Sequence, residues 1–295
     1  MDEKLEQMKQ QYMDIPIPAE LDFIVNQAIA AHSTKRPKTV MKWLTAIAAA
    51  AIVFVAGLNT SPAFAHSLAE VPVVGKLIKV LTFREYKYDD GAHRAKVEVP
   101  AITNLENKTL EDSLNSKYLE ESKKLYTDFM SDIEKLKASG SEGHIGVDSG
   151  YVVKTDNDQI LAVGRYVVNT AASSSTTFQY DTIDKKNQLL ITLPSLFKDD
   201  GYIGVISDYI KEQMKQRMKE DSSKIYWVEG VPNDVKFAFK TIKKDQSFYI
   251  NNEGKLVIVF QKYEVSPGYM GGSEFIIPTS VINDQLSSHA YLLSE

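Results

Sequence analysis

Cysteine is absent from all 295 residues. Its absence removes disulfides, thiol nucleophiles and cysteine-based metal sites together, and suits an exported domain that needs no oxidising machinery. Histidine is sparse: His32, His66, His93, His144 and His289 are scattered, with no i, i+4 pair and no HExxH. The signature of a metalloprotease is therefore missing. No glycine-rich phosphate loop or GxSxG elbow appears either. Acidic residues are plentiful enough for a paired-carboxylate glycosidase, but nothing marks a particular pair. The expectation is a chain with no catalytic residue, no metal and no cofactor.

Charge is missing locally as well. From Trp43 to Ala65 no residue is charged, and Lys35, Arg36, Lys38 and Lys42 lie just ahead. The apolar core, Trp43 to Leu58, approaches the roughly 17–25 residues that a bilayer requires, and the uncharged stretch from Asn59 onward completes it. The basic cluster places the N-terminus in the cytoplasm, since Lys and Arg accumulate on that side. The run closes on Ala63-Phe64-Ala65, a small-residue signal-peptidase motif with its scissile bond between Ala65 and His66. An ordinary signal peptide with an extended start, or a buried core helix, remains the alternative reading.

Asp and Glu number 39 against 34 Lys and Arg, for a net charge of −5. Residues 1–42 carry six of each sign, so the acidic excess sits beyond the membrane run. A nucleic acid is a poor partner for such a domain, because phosphate binding needs a basic stripe. A cationic partner fits better; solubility alone also favours mild acidity.

In the inner segment, Pro18 suits the first position of a helix reaching about Ala31. Leu21, Ile24, Val25, Ala28 and Ile29 form one apolar face. A lone helix of this length is marginal in water, which predicts that it folds into a partner's groove or lies on the inner membrane surface. Outside, Val71–Leu81 reads as a short amphipathic helix with Lys76 and Lys79 on its wet side, placed to hide the bond after Ala65.

The pattern beyond is α+β. Phe83–Val99 predicts a strand pair turning near Asp89-Asp90-Gly91, and Asn104–Lys137 predicts a long helix. Tyr151–Lys154, Gln159–Asn169 and Ser173–Asp184 read as an antiparallel meander, Leu193–Phe197 as a bend and Gly201–Glu220 as a second helix. Phe248–Ile250, Leu256–Tyr263 and Glu274–Pro278 are expected to complete the sheet, and Val281–Leu286 to close as a short helix. Tyr263-Glu264-Val265-Ser266-Pro267-Gly268-Tyr269-Met270 sets an aromatic and a methionine on a Pro-Gly turn, as recognition loops do; a hairpin with Tyr269 folded back onto the sheet is the equal alternative. Ala171–Thr177, with its serines, is a second candidate contact loop or simply a turn.

These features together resemble the membrane-spanning anti-sigma factors of the anti-sigma-V type from Gram-positive bacteria. The resemblance is carried by Ile17-Pro18-Ala19-Glu20-Leu21-Asp22, Val71-Pro72-Val73-Val74-Gly75-Lys76, Leu193–Asp199, Ile210–Lys215 and Tyr263–Gly271, in order along nearly the whole chain. It implies a single-pass protein: 1–42 a cytoplasmic segment binding an extracytoplasmic-function (ECF) sigma factor through Leu21, Ile24, Val25 and Ala28; 43–65 the span; 66–82 a juxtamembrane segment; and 83–295 an extracellular domain of antiparallel sheet plus two longer helices that binds lysozyme. Lysozyme binding would expose the Ala65–His66 bond to signal peptidase, and a site-2 protease would then release the sigma factor. Within the family the lysozyme contacts map onto Pro267 and Tyr269 and onto Ser173 or Ser174. The chain is then a protease substrate, not an enzyme. A membrane-anchored cell-wall glycan-binding module is the alternative, followed by an anchored hydrolase.

Overall fold

Two successive runs of alternating residues, Lys79–Asp89 (β1) and His93–Thr103 (β2), pair antiparallel across a turn at Asp90-Gly91. Asp90 holds this turn by accepting from the His93 backbone at 2.8 Å, and Gly91 takes the left-handed conformation at φ 87°. The computed structural model describes residues 78–140, 143–230 and 238–293. The inner segment, the apolar run and its cleavage motif lie outside the described residues. Among the described residues no helix is long and apolar enough to cross a membrane. The described residues belong to one compact unit, Gly75–Glu295.

Helix α1 (Lys108–Ala138) starts where Asn107 accepts from Leu110 N, and it buries Leu114, Tyr118, Phe129 and Ile133 on one stripe, as the periodicity predicts. It is a crossover. β3 (Ile145–Asp156) returns beside β2 in parallel, because the long helix carries the chain back to the end where β2 began. β4 (Ile160–Ala171), β5 (Ser173–Asp184) and β6 (Leu189–Ile191) follow antiparallel, giving one six-stranded sheet whose spatial order is the chain order.

Helix α2 (Tyr202–Glu220) buries Tyr202, Ile206, Ile210 and Met214. It lies over β7 (Phe248–Ile250), β8 (Leu256–Phe260) and β9 (Ser273–Ile277), which form a separate three-stranded antiparallel sheet. The short helix α3 (Thr279–Ile282) closes the chain. Two apolar cores result. One gathers Ile102, Leu114, Tyr118, Leu161, Val163 and Ile183 between α1 and the large sheet. The larger gathers α2, the small sheet, and Ile160 and Ala162 from the opposite face of β4.

The structure corrects several expectations. The last strands do not complete the first sheet, and that sheet is not wholly antiparallel, since β2 and β3 run parallel. The helix expected to reach Leu81 does not: Lys79, Val80 and Leu81 pair with Thr103, Ile102 and Ala101, because Ile78 is buried and the residues after it complete the β2 ladder. The last residues of the 66–82 segment are therefore strand. β3 is three times the expected length, carried through Gly146 by pairing on both sides and through Gly150 by pairing with β4. β8 ends at Phe260 rather than Tyr263, where Gln261–Glu264 turns under a mutual hydrogen bond.

Candidate recognition surface

The segment following β8 is built to hold a loop outward. Glu264 N donates to Gln261 O at 3.0 Å, and Gln261 N donates to Glu264 Oε2 at 2.8 Å. This turn sets Tyr263 at φ 68°, a left-handed conformation that a residue bearing a Cβ adopts at a cost of about 1–2 kcal/mol. The Tyr263 ring then lies on Gly268: a Cβ at Gly268 would stand 2.2 Å from it, so a larger residue there would push the ring aside. Gly268–Met270 forms a single 3-10 turn after Pro267.

At the tip Tyr269 is 68% exposed and Tyr263 60%, the two most exposed aromatics among the described residues. Tyr269 does not fold back onto the sheet. Its hydroxyl donates to Ser223 O at 2.9 Å, and Ile225 N approaches the Met270 sulfur at 3.2 Å. Pro267 is half-buried beside Val265, whose carbonyl accepts from Trp227 N. The loop is fixed at its base and bare at its tip, a low-entropy way to display an aromatic anchor.

Ser173 and Ser174 open β5 and are exposed, after Ala172 at φ 58°. The structure brings them to the tyrosine loop. Lys262 Nζ donates to Ser174 O at 2.6 Å and sits 5.1 Å from the Tyr263 ring centroid. One residue earlier, the Gln261 side-chain amide accepts from Phe178 N at 2.9 Å and donates to Phe178 O at 2.6 Å, occupying the place of one residue of a neighbouring strand. Gln261 and Lys262 were not singled out from sequence. Their partners lie 83 and 88 residues away, so no local pattern marks them.

Beneath the hairpin lies a buried polar network. Asp181, 4% exposed, accepts from Lys117 Nζ at 3.0 Å and lies 3.3 Å from Arg165. Arg165 also pairs with Glu121, bonds Gln179 and stacks over the Tyr118 ring at 4.5 Å. Burial, with the Asp181 charge adding to it, pushes the Tyr118 phenol up, so Tyr118 stays neutral. Among the described residues no group of three or more His, Asp or Glu side chains could hold a metal ion. The cleavage residues Ala63, Ala65 and His66 and the inner residues Leu21, Ile24, Val25 and Ala28 lie outside the described residues.

Two family models match the chain: the domain of unknown function DUF4179 over residues 35–135, and the protein of unknown function DUF3298 over residues 194–280. The anti-sigma-V factor RsiV of Bacillus subtilis (strain 168) is 46% identical over 293 residues, covering 99% of this chain and 100% of that protein. The chain belongs to the anti-sigma-V factor family. Among solved structures, a DUF3298 family member from Bacteroides fragilis superposes with a TM-score of 0.54 at 15% identity, over 72% of this chain and 94% of the other. A DUF3298 protein from Pseudomonas aeruginosa gives 0.50 at 11%, over 73% and 96%. These two speak for the fold alone, and they place the α+β unit of this anti-sigma-V family member in the DUF3298 fold.

Proposed function

We propose that the protein is an anti-sigma factor and lysozyme receptor. The inner segment, residues 1–42, sequesters an ECF sigma factor through the apolar face of Leu21, Ile24, Val25 and Ala28. Residues 43–65 span the membrane once, with the N-terminus in the cytoplasm and the folded domain outside. Lysozyme binding frees the Ala65–His66 bond for signal peptidase, with Ala63 and Ala65 filling its small-residue subsites, and intramembrane cleavage by a site-2 protease releases the sigma factor. The chain is the substrate of these proteases and performs no catalysis of its own.

The observation that carries this reading is the end-to-end identity with an anti-sigma-V factor. The display of Tyr269 and Pro267, with Ser173 and Ser174 held to the same loop by Lys262, supports it for the outer side. The acidic excess outside the membrane run suits a basic partner such as lysozyme, speeding encounter and making affinity fall with salt.

The test is cleavage of the full-length protein in membranes by purified signal peptidase, with and without lysozyme, mapping the new N-terminus. A cut after Ala65 that appears only with lysozyme is expected. Stable protein in both conditions, beside an active peptidase, points instead to a wall glycan-binding module, and constitutive cutting makes the apolar run a plain export signal.

A further inference from the structure

Tyr263 stands in a conformation that its residue type resists. It is the third residue of the Gln261–Glu264 turn, where a positive φ ordinarily calls for glycine or asparagine. Among the described residues the non-glycine positions with positive φ are Asn104, Ala172, Gln188 and Tyr263, and Tyr263 alone carries a ring. Two of them belong to the recognition surface: Ala172 immediately precedes Ser173, and Tyr263 opens the loop that carries Pro267 and Tyr269. Backbone strain of this kind persists only where the surroundings over-determine it, and it gathers at binding segments.

The fold draws little from this side chain. The ring is 60% exposed and belongs to neither apolar core, and its hydroxyl has no hydrogen-bond partner among the described residues. The hydroxyl of Tyr269, by contrast, is committed to Ser223 O at 2.9 Å. A glycine at 263 would close the same turn without strain.

The ring is nevertheless held in one place. It lies on Gly268, and Lys262 Nζ sits 5.1 Å from its centroid. Lys262 in turn donates to Ser174 O at 2.6 Å, so Tyr263 stands between the tip of the loop and the serine end of β5. An ordered, exposed ring with an uncommitted phenol is the kind of group that carries binding energy at protein interfaces.

We propose that Tyr263 is a contact residue for the bound protein, joining the surfaces of Tyr269 and Ser174 into one continuous face. The inference rests on the lysozyme-receptor reading and deepens it. The partner covers the exposed part of the ring, and an oxygen acceptor of the partner takes the phenol hydrogen bond. Because the strained turn is already formed in the free protein, the ring meets its partner ordered and loses little further freedom.

The experiment measures hen egg-white lysozyme binding to the full-length protein in nanodiscs, beside the thermal midpoint of each variant. Tyr263→Asn removes the ring and leaves a residue that accepts the left-handed conformation. Tyr263→Phe keeps the ring and removes the hydroxyl. Hydroxyl-radical footprinting with peptide mapping, on the parent with and without lysozyme, reads whether the ring becomes covered. A residue that only supports Tyr269 is not shielded in the complex.

Expected is an affinity loss of about tenfold or more for Tyr263→Asn, with a midpoint equal to or above the parent's because the strain is relieved. Tyr263→Phe should lose about threefold, and lysozyme should suppress labelling of Tyr263. Three results overturn the proposal and leave the receptor reading intact: Tyr263→Asn within about twofold of the parent, labelling unchanged by lysozyme, or a lowered midpoint accompanying the lost affinity. Parental affinity in Tyr263→Phe removes the hydroxyl contact. A parent protein that fails to bind lysozyme removes the receptor reading and this inference with it.

Discussion

β8 buries all five of its residues, whereas β4 buries only Ile160–Gly164 and β5 only Asp181–Asp184. In the small sheet β7 and β8 are buried throughout, between α2 and the large sheet, while β9 alternates buried and exposed residues, and Phe239, Phe260 and Phe275 pack edge to face. The β4–β5 hairpin is clamped at its Ile160–Asp184 end and runs out of the core to the exposed Asn169–Ser174 end. A strand wrapped on both sides holds the fold together but has nothing to offer a partner. A hairpin rooted at one end and free at the other can offer Ser173 and Ser174 at a fixed place. The tyrosine loop takes its rigidity from the first kind of strand, as the continuation of β8, and its neighbour from the second.

Core truncation separates the two kinds of strand most. Phe275→Ala in the closed sheet should cost about 3–5 kcal/mol in urea unfolding, while Phe178→Ala on the half-open hairpin should cost about 1.5 kcal/mol or less. Equal costs would mean that the hairpin contributes to the core as fully as β9 does. Tyr269→Ala should leave stability unchanged yet weaken lysozyme binding by about 2 kcal/mol or more; an affinity equal to the parent's removes Tyr269 from the interface.

At the rooted end of the hairpin, burial pushes the Asp184 carboxyl up. Hydrogen bonds from the Asn187 backbone, Tyr291, the Asn187 amide and the Lys186 backbone outweigh burial and hold it below the usual carboxylate range. A depressed folded value makes this contribution full above about pH 4 and lost as pH falls through the folded value. Asp184→Asn should therefore cost about 1–3 kcal/mol at neutral pH and flatten the acid limb of the stability curve; an unchanged acid limb would show that Asp184 does not drive it. The smallest effect is expected at Thr182, whose buried hydroxyl has no hydrogen-bond partner. Thr182→Val should be neutral or stabilising by up to about 1 kcal/mol in the same unfolding assay.

Much of the local structure was legible. The Asp90-Gly91 turn, both long helices and the β4 and β5 strands follow from alternation, helical spacing and turn chemistry. The separation into two sheets was not legible, because β7 and β8 are buried on both faces and show only short apolar runs without alternation. The parallel β2–β3 pair was hidden for another reason: strand direction depends on the crossover made by α1, which residue spacing does not encode. At the recognition surface, the exposure of Tyr269 could be argued from its Pro-Gly setting. The clamp made by Gln261 and Lys262 on β5 could not, since it exists only once residues more than eighty positions apart have met.

The spatial order of the six-stranded sheet equals its order in the chain. A polypeptide delivered from its N-terminal end can therefore assemble this sheet as it arrives, each new strand finding its neighbour already in place. The tyrosine loop, its Lys262 tether and the closing strand β9 come last. A chain truncated before residue 263 therefore keeps the six-stranded sheet but lacks the tyrosine loop.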